Sequence, residues 1–489
     1  MDPTASSSQG SAQGDPSTQR RTGPYSQPKP AQESGATLIA GKALVQTVRH
    51  FFPDFNEWLG RLPDSRVPQL CTYSTGFLAW WGIGMYLLQL GSRRQLDFEL
   101  RDGGEPVLAN LNRLAQTQQT SLPVHGTLDH FLGHVPLTAW EDLRFKMVQR
   151  LLRMKVLDDA RLLGRPVLII DATGLVCFQQ RHCDHCLTQR HGDKILYFHH
   201  VLEAKLLGPT GIVLSLDSEF IENADAPDAS ASSAEKIKQD CELKALARLL
   251  PRIKRAYPQL AFVLSLDSLY AVGPVFAQLQ QFQWSYVVTF KEGRTPALWQ
   301  EYQALLPHCP ENTLKRTWDS WVQEFRWVPL DYTDSEGRTF QTTGFECTET
   351  TKHGRQYFAW LTDLKVTANT IEEIAQKGGR QRWKIENEGF NRQKNSGLNL
   401  EHVFSIDPEK WKSYYLLLQI AFMLTQLLER GSLLKRLAAA LGQPLLKMFG
   451  SLRNVARRLL ESLRNRSWED AWFDPINAAK LRISFDNSS

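Results

Sequence analysis

The sequence predicts a mixed α/β protein: a core of strands and helices, interrupted by a β-rich insertion and flanked by helical regions. Three observations predict it. The apolar runs Val167-Leu168-Ile169-Ile170 and Leu260-Ala261-Phe262-Val263-Leu264-Ser265-Leu266 read as strands, and each is followed by an aspartate, Asp171 and Asp267. Residues 314–361 alternate in period two through Trp318, Trp321, Val322, Phe325, Trp327, Phe340, Phe345 and Phe358. The stretches before and after carry apolar residues at helical spacing.

In chain order, residues 1–38 are rich in Ser, Gln, Pro and Gly and are expected to be disordered, because they bury too little apolar surface to offset chain entropy. They hold no apolar run, so no signal peptide is expected. Residues 39–163 read as a helical domain with stripes at Leu44, Val48, Phe51 and Phe52 and at Phe145, Met147, Val148, Leu151 and Leu152. Prolines 53, 63, 68 and 123 cut it into short helices. Its most apolar run, Phe77 to Leu88, falls short of the ~20 residues a bilayer requires and is closed by Arg93 and Arg94. A buried helix and no membrane role are expected.

At Gly164-Arg165-Pro166 the character changes. Residues 164–300 form the first part of the core, with strands near 167–171, 197–206, 211–216, 260–267 and 285–290. A helix over 233–257 sets Leu243, Ala247, Leu249 and Leu250 against Lys and Arg. Residues 301–367 form the insertion, a meander with turns at Ser335-Glu336-Gly337 and His353-Gly354. Residues 368–405 return to helix and complete the core. Residues 406–489 form a helical tail, amphipathic from Lys410 to Arg466, with basic residues including Lys435, Arg436, Arg453, Arg457, Arg458, Arg464 and Arg466.

The chain has 489 residues, 42% hydrophobic and 22% charged, as in a soluble globular protein. A net charge of +5 is compatible with a nucleic-acid partner without requiring one. Seven cysteines without an export signal point to a reducing compartment.

Two strands that each deliver an aspartate to a crevice suit metal-dependent phosphoryl transfer, in which carboxylates hold two divalent ions about 3.5–4 Å apart. Either aspartate alone reads more readily as a helix N-cap or turn residue. A third element adds weight: Arg382 and Glu386, at i and i+4, share a face of a helix dense in amides and charges, Gly378 to Asn395. Glu388 is the rival carboxylate; helical geometry sets it about 240° from Arg382, against about 40° for Glu386. Lys291, after the strand at 285–290, is a candidate phosphate contact. Glu242 and Asp240, expected on the helix before the second aspartate, read by default as a solvated face.

These motifs resemble the cut-and-paste insertion-sequence transposases of the DDE superfamily, over most of the chain beyond residue 38. Arg382-Trp383 and Ile385-Glu386 match the family's Tyr-x2-Arg-x3-Glu-x6-Lys motif; Ile170-Asp171-Ala172-Thr173-Gly174 and Leu266-Asp267-Ser268-Leu269-Tyr270-Ala271 match its first and second motifs. The sequence departs from the pattern at two positions. Gly379 stands where the family has Tyr, and Gln393 where it has Lys, with Lys394 one residue later. A one-residue helical insertion near Gly389 would restore the phase of Lys394. The resemblance implies an RNase H-like mixed sheet with flanking helices, and Mg²⁺ or Mn²⁺ held by Asp171, Asp267 and Glu386. It also implies DNA contacts from Arg382 and Lys394; Trp383 stacks near a base or, by default, packs in the core. The implied partners are double-stranded DNA, both element terminal repeats, bound by the N-terminal helices of residues 39–163, and target, and a second copy of the chain, in a cytoplasmic, nucleoid-associated setting. A nuclease without strand transfer and an inactive DNA-binding relic are the alternatives.

The loop His182-Cys183-Asp184-His185-Cys186 is a separate signal. Cys-x2-Cys spacing suits tetrahedral Zn²⁺, with His191, His199 or His200 completing the set; a metal-free Cys/His loop is the equal alternative.

Overall fold

The computed structural model describes residues 30–101, 104–192, 194–223, 239–318 and 321–485. The disorder expected over residues 1–29 lies outside the described residues. Residues 30–38, expected to be disordered as well, belong instead to helix α1, Pro30–Phe51. The correction has a cause in the spacing of Ala36, Ile39, Ala40 and Ala43, which extend the buried stripe of Leu44 and Val48 back by two turns.

The strands are β1 Val167–Phe178, β2 Leu187–His191, β3 Lys194–Leu207, β4 Val213–Ile221, β5 Val263–Leu266, β6 Ser285–Thr289, β7 Thr313–Trp318, β8 Trp321–Thr333, β9 Thr339–Thr351 and β10 Gly354–Thr362. They form one mixed sheet in the order β2-β3-β1-β5-β6-β10-β9-β8-β7, with β4 also paired to β3. The pairs β1–β5 and β5–β6 are parallel, and the rest are antiparallel. β5 is buried at every position and β6 at all but its last, as strands covered on both faces must be. This is the mixed sheet with flanking helices that an RNase H-like core requires. The meander β7–β10 is the expected insertion, and it prolongs the core sheet, because Trp360, Leu361 and Thr362 of β10 pair with Thr289, Val288 and Val287 of β6.

Two boundaries differ from expectation. β1 does not end at Asp171 but runs seven residues further, because β3 is long enough to pair with it as far as Phe178. Helix α4 is Glu242–Ala256, so Gln239 to Cys241 precede it rather than lie on it. The expected helix at residues 233–238 falls outside the described residues.

Helix α2, Thr75–Leu87, is the buried helix expected from its apolar run. Among the described residues no helix is long and apolar enough to cross a membrane. Between α2 and the sheet lies α6, Lys410–Arg430. It is not amphipathic as expected: Ser413 through Glu429 is buried without a break. Its polar residues are consumed internally. Gln426 bonds both the N–H and the carbonyl of Val213, and Gln419 accepts from Lys205 and Gln393. α2 can approach α6 because Gly82 has no side chain; a Cβ there would meet Leu417 at 2.6 Å.

Helix α3, Leu137–Arg153, sends the buried Arg144 onto β4, where it bonds Ser215, Ser218 and Asp217. Helix α7, Asn454–Asn465, packs on α1, so the two terminal helical regions interleave in one layer. Part of the expected basic face is spent inside that layer. Arg464 pairs with Glu99 and Arg458 with Glu461.

Candidate active site

Ile169 of β1 lies opposite Ser265 of β5 in the parallel ladder. Side chains alternate along a strand, so Asp171, two residues on in β1, and Asp267, the first residue after β5, return to that same face, close enough for the charge of Asp267 to act on Asp171. That face is covered by α5 (residues 371–395), a continuous helix of α, 3-10 and π turns. The Ser265 hydroxyl donates to the Gly378 carbonyl at 2.7 Å, which fixes α5 over the two strands. One turn further, Arg382 reaches Asp171, with Nη1 3.3 Å from Oδ2.

The electrostatics single out Asp171. Burial pushes its carboxyl up to about 6; Arg382 and the Ala172 N–H oppose this, and the charges of Glu242 and Asp267 add to it. Asp267 caps the short turn after β5, accepting from the Ser268 N–H at 2.7 Å, and Lys291 stands 3.9 Å away. Glu242, the first residue of α4, accepts from the Tyr270 hydroxyl at 3.0 Å. Burial raises the Glu242 carboxyl too, with the Tyr270 hydrogen bond opposing and Asp267 adding. Sequence reasoning set Glu242 aside as a solvated face. The missed signal was its position at the helix terminus rather than along its side.

Neither candidate third carboxylate on α5 is among the charges acting on Asp171, which are Arg382, Glu242 and Asp267. Glu388 is ion-paired with Arg430 at 2.8 Å and lies beside Gly211. The turn holding Gly211 lies past the N-terminal end of β1, away from Asp171, because Leu206 and Leu168 are register partners. Glu386 is half-buried and makes no hydrogen bond or ion pair with a described residue, including either aspartate.

Both departures from the motif have structural counterparts. A Cβ at Gly379 would stand 2.3 Å from the Trp360 indole of β10, so that tryptophan fills the space a larger residue would need. A π turn covers Ile385–Phe390 and contains Gly389, which is the one-residue insertion expected there. Beyond it Gln393 is fully buried, bonded to Gln419, while Lys394 pairs with Glu401 and acts on His200. His200 lies opposite Gly174, three residues past Asp171 on β1. Trp383 does not pack in the core. It is 57% exposed, with the Arg382 guanidinium 4.7 Å over its ring.

Of the Cys/His set, Cys183, Cys186 and His199 converge within 4.8 Å of one another. His191 does not join them. It is exposed where β2 turns into β3, opposite Lys194 and five residues along β2 from Cys186. His200 follows His199 on the strand and faces the other side of the sheet, beside Gly174.

Fold and site together define an α/β protein with two aspartates on adjacent parallel strands beneath a π-distorted helix. No protein-family model matches the chain, and no curated protein is significantly similar to it.

Proposed function

We propose that the chain is a DNA transposase of the DDE type, which cleaves DNA strands at element ends and joins them to target DNA with Mg²⁺ or Mn²⁺. One observation carries the reading: Asp171 and Asp267 share one sheet face and act on each other, under a helix that brings Arg382 onto Asp171 and carries, one turn later, Glu386, which has no ion-pair partner among the described residues. The donors fit the metal. They are hard oxygens, and the charges of Asp267 and Glu242 add to the burial that raises Asp171, a crowding that a divalent cation relieves; Glu242 is thereby the rival of Glu386 for the third ligand. Bound there, the ions would activate the attacking oxygen and stabilise the leaving one.

The chain's own residues then divide the work. Asp171, Asp267 and Glu386 would hold the ions. Arg382, which now pairs with Asp171, would serve a DNA phosphate instead when a cation takes up that carboxylate. Lys291, beside Asp267, would place a further phosphate, Lys394 another at the end of α5, and the exposed Trp383 ring would stack against a base. A second copy of the chain would bring the two element ends together.

The test is Mg²⁺-dependent cleavage of duplexes carrying the element's flanking ends, comparing the unmutated protein with D171N, D267N, E386Q, E388Q and E242Q. The first three are expected to abolish cleavage while duplex binding persists; E388Q is expected to cut. Loss in E242Q with retention in E386Q would move the third carboxylate to α4. A 3′-hydroxyl donor strand distinguishes strand transfer from plain nuclease activity. Binding without cleavage by the unmutated chain in Mg²⁺ or Mn²⁺ would overturn the enzyme reading.

A further inference from the structure

A second set of donors, chemically unlike the carboxylates, gathers where the β1–β2 loop meets β3. Cys183 and Cys186 flank a tight turn closed by the Cys186 N–H on the Cys183 carbonyl, which aims both sulfurs the same way. The sulfurs are 3.5 Å apart, and each is 3.3 Å from His199 Nε2. Tetrahedral zinc, with bonds near 2.3 Å to sulfur and 2.0–2.1 Å to nitrogen, sets its donors about 3.6–3.8 Å apart. The observed triangle opens to that size with shifts of a few tenths of an ångström. Cys186 and His199 are 0% and 1% exposed, and among the described residues the two sulfurs are all that His199 Nε2 meets.

A carboxylate also stands behind the ring. His199 Nδ1, which makes no hydrogen bond among the described residues, faces Glu222 Oε1 at 3.5 Å, and the other oxygen of Glu222 accepts from Lys412 at 2.8 Å. A carboxylate behind a ligating histidine fixes its tautomer and raises its basicity, the usual support of a zinc-bound imidazole. Two sulfurs and an imidazole select zinc over the hard cations that suit Asp171 and Asp267.

We propose that Cys183, Cys186 and His199 bind a zinc ion through three protein ligands, with solvent in the fourth position. The ion staples the loop to β3, and the staple extends toward the carboxylates. His185 and the Cys186 carbonyl are bonded to Asn223, and Asn223 accepts from the Asp240 N–H, two residues before Glu242. Zinc thus secures the chain that leads into the first turn of α4.

Metal analysis of the full-length protein, purified reduced and without chelator, tests this independently of any DNA reaction. About one zinc per chain is expected. C183S, C186S and H199N are each expected to lose it and H191A to keep it. E222Q is expected to weaken zinc binding about 10–100-fold. If the cysteine variants fail to fold, chelator-stripped unmutated protein loaded with Co²⁺ is expected to show thiolate-to-metal charge transfer and tetrahedral d–d absorption. Absence of both zinc and the cobalt spectrum, zinc retained in C183S, or equal alkylation of Cys183 and Cys186 with and without zinc would each overturn the proposal.

Discussion

At the scale of the residue, Asp171 is held where its charge is costly. Its carboxyl titrates near 6 instead of 3.8, chiefly because it is buried. The folded-state value lies above the unfolded one, so its contribution to stability is fully present below 3.8 and is lost as pH rises through about 6. The difference corresponds to ~3 kcal/mol, an upper bound for a single group. In the absence of divalent metal, D171N is therefore expected to be more stable than the unmutated protein at pH 8, and the gap to shrink toward pH 4. Urea unfolding at both pH values measures it, and a gap that is constant with pH would show that Asp171 ionises freely. Asp267, at the mouth of a four-residue strand, was legible from the run that precedes it. The partner of Glu388 was not, because Arg430 lies 42 residues away in sequence.

At the scale of the element, α5 is shaped by what it crosses. Its first π turn, Ile374–Gly379, brings Gly378 and Gly379 down onto Val287 and Trp360, where only glycine leaves room. Beyond its second, Ile385–Phe390, Gln393 is fully buried while Lys394 is half-buried and paired with Glu401. Arg380, between the two π turns, is ion-paired with Glu349 of β9, which also accepts from Gln323 of β8. G379A is expected to destabilise by about 1–3 kcal/mol through overpacking against the indole. In a W360F background the cost of G379A is expected to fall by at least half, measured by denaturant midpoints of the four proteins in the cycle. Equal costs in both backgrounds would show that Trp360 is not the obstacle. The departure at Gly379 was visible in sequence as a mismatch, but its reason sits on a strand of the insertion.

At the scale of the whole molecule, the insertion and the core share one sheet, and α6 joins the sheet to both terminal helical regions. The ladder from β6 to β10 and the ion pair from Arg380 to Glu349 leave the meander no separate boundary at which to unfold. Residues 39–163 and 406–485 likewise share one hydrophobic core with the sheet. A single cooperative transition is expected, with tryptophan fluorescence, reporting largely on the insertion and helices, coincident with far-ultraviolet circular dichroism. Two separated midpoints would show that the meander folds by itself.

What the sequence determined alone is whatever depends on neighbours within a few residues. The strands at 167–171, 263–266 and 285–289 follow from short apolar runs, the meander turns from Gly337 and Gly354, and the Cys-x2-Cys pair from its own spacing. Tertiary structure alone decided the rest. It carried β1 past Asp171 by lending it β3, buried α6 on every side, brought Glu242 to the aspartates, and chose His199 over His191 beside the two sulfurs. The physical reason is common to all four: local pattern fixes how a segment is built, but burial and the pairing of charges depend on which distant segment packs against it.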